Sequence, residues 1–276
     1  MVSFFGKGFT MKHISKFCQS TAERLSIEIG DVQKGYEIDS ILEESDFCRG
    51  LICVAARSGV GKTTFALDLV LGQAVRSDKN ILIVSCEKSA EQIVAQLVMK
   101  ICGLNTCFVN AGDEEKIQKM SQTLAFLSEL KIYIEDFEGE IEPDLSDIER
   151  VVEEAENPGL VMIDGMYGLW DEAKPTKLAE QESKKTVKHL RAICKRNELS
   201  IIITTYFSRA EIKRMLAGDM SNNVLLKNGV DILIALYRSV VGTTISNTTD
   251  FLITDARGRY DRNILHYDTK NRKFLR

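Results

Sequence analysis

Ala56-Arg57-Ser58-Gly59-Val60-Gly61-Lys62-Thr63 carries the clearest chemistry in the chain. The stretch follows the apolar run Leu51–Ala55 and opens a helix-forming segment, Lys62–Gln73, so it joins a strand to a helix N-terminus. Gly59 and Gly61 let the backbone wrap, which aims successive N–H groups at phosphate oxygens. The helix N-terminus adds partial positive charge. In that setting Lys62 reaches the β- and γ-phosphates of ATP, and the Thr63 hydroxyl holds Mg²⁺. Residues from Ala56 through Thr64 form the expected nucleotide cradle, although the general pattern begins with glycine where Ala56 stands here.

Two carboxylates complete the expected chemistry. Leu160-Val161-Met162-Ile163-Asp164 is an apolar strand ending in an acid, which puts Asp164 at the C-terminal edge of a sheet, near the metal held by Thr63. Gly165 follows, so no base for the attacking water adjoins Asp164. The candidate is Glu87, just past the apolar run Ile81–Cys86, where a carboxylate can orient water for in-line attack on the γ-phosphate. The plainer reading of Glu87 is a surface acid at a strand end.

These groups need a scaffold, and the hydrophobic pattern supplies one. Strands are expected at Leu51–Ala55, Ile81–Ser85, Leu160–Ile163 and Ile201–Thr204. Helices are expected over Lys62–Gln73, from a capping box at Ser89 to Gly103, from a capping box at Ser146 to Asn157-Pro158-Gly159, and over Leu178–Asn197. Beyond residue 230 only strands follow: Ile232–Tyr237, Phe251–Thr254 and Asn263–Tyr267. The expected fold class is α/β: a mostly parallel sheet flanked by helices, with antiparallel C-terminal strands. Before it, residues 11–29 place Ile14, Phe17, Cys18, Leu25 and Ile29 at helical spacing, and Gly30 and Gly35 then break the pattern. The division expected is an arm over 1–30 and an ATP-binding α/β domain over 31–276.

Composition excludes several classes. Of 276 residues, 44% are hydrophobic and 28% charged, ordinary for a globular protein. The apolar runs fall far short of the roughly 18 residues of a membrane span. The N-terminal stretch lacks a signal-peptide pattern, so a cytoplasmic location is expected. Seven scattered cysteines, never spaced CxxC, give no zinc cage, and Cys53 and Cys86 read as small packing hydrophobes. A net charge of −4 argues against a surface that is cationic throughout, without excluding a few cationic loops gathered in a channel. Much of the acid lies in Glu135–Glu156, which reads as a solvated outer face.

At this point the strings themselves resemble a known family. GLICVAARSGVGKTTFALDL is similar to the nucleotide-binding loop of DnaB-type replicative helicases, including alanine at the first loop position. ILIVSCEKSAEQIVAQL resembles that family's second strand with its catalytic Glu, and VMIDGMYGL its Walker B strand. The resemblance runs from about Gly35 to Arg276 and covers the family's C-terminal motor domain, a RecA-like P-loop NTPase. The family's N-terminal collar domain is expected to be missing.

The resemblance implies a homo-oligomeric, hexameric ring with ATP between subunits, translocating on single-stranded DNA, with a primase or loader as further partners and a bacterial, phage or plasmid context. It also implies site residues. Tyr206 stands where the family has a γ-phosphate-sensing Gln. Ile253-Thr254-Asp255-Ala256-Arg257 resembles the strand that bears a Lys-x-Arg pair reaching the neighbouring ATP, which makes Arg257 the arginine finger, with Arg259 as the fallback and Asp255 in the Lys place. The DNA-gripping loops correspond to Gly165–Thr176, with Trp170, and Tyr206–Asn223, with Arg209, Lys213, Arg214, Asn222 and Asn223. The arm resembles a linker helix that docks on the next subunit. Two other readings stay open: a RecA-fold ATPase acting as a recombination mediator or loader, and a nucleotide-gated assembly protein.

Overall fold

The computed structural model describes residues 11–25, 50–103, 113–137, 143–165, 176–207, 209–217, 229–238, 240–241, 244–245, 248–255, 260–268 and 273–275. In chain order the elements are β1 (Lys12–His13), α1 (Ile14–Leu25), β2 (Leu51–Ala56), α2 (Lys62–Arg76), β3 (Asn80–Ser85), α3 (Ala90–Cys102), α4 (Glu114–Glu129), β4 (Ile132–Asp136), α5 (Leu145–Glu154) and β5 (Pro158–Asp164). There follow α6 (Thr176–Asn197), β6 (Ser200–Tyr206), α7 (Arg209–Leu216), β7 (Ile232–Tyr237), β8 (Val240–Val241), β9 (Thr244–Ile245), β10 (Thr248–Asp255), β11 (Tyr260–Asp268) and β12 (Lys273–Leu275).

Ten of the strands form one sheet in the order β1-β4-β3-β5-β6-β2-β7-β10-β11-β12, and β8 pairs with β9 apart from it. The six strands from β4 to β7 run parallel. β1 is antiparallel at one edge, and β10, β11 and β12 form an antiparallel meander at the other. The α/β fold expected from the sequence is therefore the fold found.

Its two cores follow from the two-residue period of a strand. Ile52, Val54, Ile81, Ile83 and Met162 face one layer, packed with α1 to α4. Leu51, Cys53, Leu82, Val84, Val161 and Ile163 face the other, packed with α5, α6 and α7. Strands buried on both faces read as continuous apolar runs, which is why β2, β3, β5 and β6 were visible in the sequence. Their register lines up their C-terminal ends: Ala56 pairs with Tyr206, and Ser85 with Asp164.

Four expectations need correction. The α1 face expected to dock on a neighbour is buried at home: Ile14, Phe17, Cys18 and Ala22 join the core beside α3 and α4. The boundary between arm and motor lies outside the described residues. The second capping box sits earlier than Ser146, with Asp144 as N-cap and Asp147 closing it. Its helix ends at Glu154, and Pro158 opens β5. Part of the acidic stretch is structural: the Asp136 carboxylate accepts from the Ala90 N–H at 2.7 Å, capping α3, and Glu149 pairs with His189 and Arg196 of α6. The Tyr206–Asn223 segment, expected as a loop, contains α7, whose residues Arg-Ala-Glu-Ile-Lys-Arg-Met-Leu are mostly good helix formers. Ile212 anchors it in the core, while Lys213 and Arg214 are exposed.

Candidate active site

The β2–α2 turn owes its shape to its glycines. Gly59 has φ 75° and Gly61 φ 108°, the left-handed region where a Cβ is strained. Gly61 is the residue before α2, so the first N–H groups of the helix point out of the turn without a side-chain cap. A pocket of about 420 Å³ opens there, lined by Ser58, Gly59, Gly61, Lys62, Thr63 and Thr64, with Glu87, Lys88, Gln96 and Tyr206 opposite. That volume falls in the ordinary range of small-molecule sites.

Beneath the turn, the two oxygen donors expected for a metal meet. The Thr63 hydroxyl donates to the Asp164 carboxylate, 2.8 Å from Oδ1 and 2.9 Å from Oδ2. Asp164 is fully buried and also accepts from the Thr204 hydroxyl at 2.8 Å. The Gly165 N–H in turn donates to Thr204 Oγ1 at 2.9 Å, so Thr204 of β6 bridges the carboxylate and the backbone just past β5. A hydroxyl and a carboxylate are hard oxygen ligands of the kind Mg²⁺ takes beside a triphosphate. Bound there, that ion would neutralise charge on the phosphate oxygens.

Glu87 lies across this pair, at the end of the turn after β3. The Cys86 N–H donates to the Asp164 carbonyl at 2.9 Å, which ties that turn to the tip of β5. The closeness depends on Gly165, at φ 90°: a Cβ there would stand 2.5 Å from Glu87 Cγ. Partial burial, and after it the Asp164 carboxylate, pushes the Glu87 carboxyl above its ordinary value, with Lys88 and Lys62 pulling back. A carboxylate of raised basicity beside a phosphate cradle is equipped to take a proton from water.

Lys62 is buried, with its ammonium 3.9 Å from the centre of the Tyr206 ring. Burial pulls it below its ordinary value, against the attraction of Tyr206, Glu87 and Asp164. Tyr206 therefore seats the Lys62 ammonium by a cation–π contact.

Lys62, Thr63 and Glu87 thus line one pocket together with Ser58, Gly59, Gly61 and Thr64, and Asp164 lies against it through Thr63. Lys213 and Arg214 lie away on α7, which Arg209 begins. Arg257, Arg259, Trp170, Asn222 and Asn223 lie outside the described residues, and Asp255 ends β10. Sequence reasoning missed Lys88, Thr204 and Gln96. Thr204 was findable as the residue ending the apolar run beside Asp164's strand.

Comparison with known proteins agrees with this geometry. The model of the DnaB-like helicase C terminal domain matches residues 38–276. Replicative DNA helicase DnaC of Bacillus subtilis (strain 168) is 27% identical over 194 residues, covering 68% of this chain and 43% of that protein. Replicative DNA helicase DnaB of Geobacillus stearothermophilus is 28% identical over 219 residues, covering 76% and 48%. A solved ATPase domain superposes with a TM-score of 0.67 at 19% identity, covering 95% of this chain and 98% of its own. A DnaB-like replicative helicase, solved in a study of its interactions with primase, gives 0.67 at 19%, covering 93% and 66%. The chain spans about half the length of the curated relatives it matches. It belongs to the family of DnaB-like helicase C-terminal domains.

Proposed function

We propose that this chain is the ATP-hydrolysing motor of a ring-forming replicative DNA helicase that moves on single-stranded DNA. The observation that carries the reading is the convergence of Thr63, Asp164 and Glu87 under a glycine-turned phosphate cradle. Lys62 holds the β- and γ-phosphates of ATP, and Thr63 and Asp164 hold Mg²⁺. Glu87 accepts the proton of the water that attacks the γ-phosphate.

Arg257, or Arg259 in the alternative register, completes the site from a neighbouring subunit by stabilising charge on the phosphoryl oxygens. Arg209, Lys213 and Arg214, with Asn222 and Asn223, meet the DNA backbone through charge and hydrogen bonds. The ring is a hexamer working in the bacterial cytoplasm, and primase or a loader is its protein partner; the bacterial relatives and the primase named with one solved relative support this.

Single-stranded DNA should stimulate ATP hydrolysis, and the protein should separate a forked duplex in an ATP-dependent way. Stimulated hydrolysis without strand separation would instead select the mediator or loader reading. Hydrolysis indifferent to DNA would select nucleotide-gated assembly.

A further inference from the structure

We propose that Lys88 is a resident cation of the metal seat, one that a divalent ion must displace. On the reading that ATP binds here, this makes nucleotide binding unusually independent of Mg²⁺.

The Lys88 ammonium lies 3.0 Å from Thr63 Oγ1 and 3.6 Å from Asp164 Oδ2, on the same two groups that suit a metal. The bonding there is self-consistent. The single Thr63 hydroxyl proton points between the two Asp164 oxygens, while a lone pair of the same hydroxyl accepts from Lys88. A fully buried carboxylate needs a positive neighbour, and Lys88 supplies it. Lys62 also feels the Asp164 charge, but its ammonium lies over the Tyr206 ring, whereas Lys88 reaches the carboxylate itself.

The seat is also built into the backbone. The Lys88 N–H donates to the buried Ser85 hydroxyl at 3.2 Å, and the next residue, Ser89, caps α3 by accepting from the Gln92 N–H. The root of the side chain is therefore held in place, and only its flexible stem has to move when another cation enters.

A divalent ion and an ammonium cannot both sit against Thr63 Oγ1, because like charges at that range repel strongly. Two consequences act in the same direction. With Mg²⁺ present, part of its binding free energy is spent in displacing Lys88. Without Mg²⁺, Lys88 remains to face the anionic phosphates. Both reduce the gain in nucleotide affinity that Mg²⁺ brings.

The test is the ratio of Kd values for a fluorescent, non-hydrolysable ATP analogue in EDTA and in saturating Mg²⁺, measured on the full chain. Lys88→Met, which keeps the stem and removes the charge, should raise that ratio at least about tenfold over wild type. Lys88→Arg, which keeps the charge, should raise it less. Equal ratios in Lys88→Met and wild type overturn the proposal. So does a Lys88→Met chain that fails to bind even in Mg²⁺, because the metal then does not replace the lysine. A wild-type chain that binds no analogue in Mg²⁺ would instead refute the nucleotide reading itself.

Discussion

Gly165→Ala should slow ATP hydrolysis about a hundredfold while leaving ATP affinity nearly unchanged. An added Cβ would stand 2.5 Å from Glu87 Cγ, 3.1 Å from Cδ and 3.0 Å from Oε1. Carbon atoms pack comfortably at about 3.5–4.0 Å, so Glu87 has to withdraw by about 1 Å. Its side chain can turn away, so the fold survives, but the carboxylate leaves its place over the tip of β5. A misplacement of about 1 Å in a catalytic group costs on the order of 10² in rate, or about 2.7 kcal/mol of barrier. Separately, alanine at φ 90° costs about 1–2 kcal/mol of stability, lowering Tm by several degrees. The assay is steady-state ATPase activity beside fluorescent-nucleotide binding, with Glu87→Gln and the double variant as companions. Because both substitutions act on one carboxylate, the double variant should be little slower than Glu87→Gln alone. Near-wild-type kcat for Gly165→Ala beside a crippled Glu87→Gln would refute the claim that the gap at Gly165 positions the base. Near-wild-type kcat for both would remove Glu87 from the chemistry.

Lys62→Ala and Arg257→Ala subunits, each inactive alone, should regain ATPase activity when mixed under conditions of subunit exchange; Arg259→Ala in place of Arg257→Ala decides the register. Replacing Arg209, Lys213 and Arg214 with alanine should weaken single-strand binding and flatten its salt dependence, read by fluorescence anisotropy across a salt series. Phe17→Ala should destabilise the fold by about 3 kcal/mol in urea unfolding, because the ring is 7% exposed against α3 and α4. Burial first, then Asp136 and Glu154 against Lys12 and Arg150, raises the Glu135 carboxyl above 4.5. Its contribution to stability is full below that value and lost as pH rises through the raised one. Glu135→Gln should therefore raise Tm at pH 7, with the gain fading toward pH 4.

The centre of the site was legible because each of its parts is encoded within a few neighbouring residues. A glycine-rich turn between an apolar strand and a helix leaves few other readings, and Asp164 and Glu87 each sit at the end of an apolar run. What the sequence hid depends on chain segments meeting from afar. Lys88 follows Glu87 directly, yet nothing local says that its stem folds back onto Thr63. The docking of α1 was misread for a related reason. Its partner α4 shows Met120, Leu124 and Leu127 at helical spacing among charged residues, and neither α4 nor the short β4 was recognised. Without α4, the face carrying Ile14 and Phe17 had no home in its own chain. The segment expected as a loop holds α7, whose helix-forming residues are joined by a buried Ile212, a tertiary contact that polarity alone does not reveal.

The end of strand β6 brings the pocket and α7 close together in the chain. Tyr206 closes the lysine's side of the pocket, and the very next N–H, of Phe207, is bonded to the carbonyl of Ala56 at 3.1 Å. Three residues beyond Tyr206, α7 begins, carrying cations outward. The ring thus holds Lys62 at the end of β6, and the chain leads on to α7, where Lys213 and Arg214 are exposed. The pocket wall and the cationic helix are thus three residues apart in sequence.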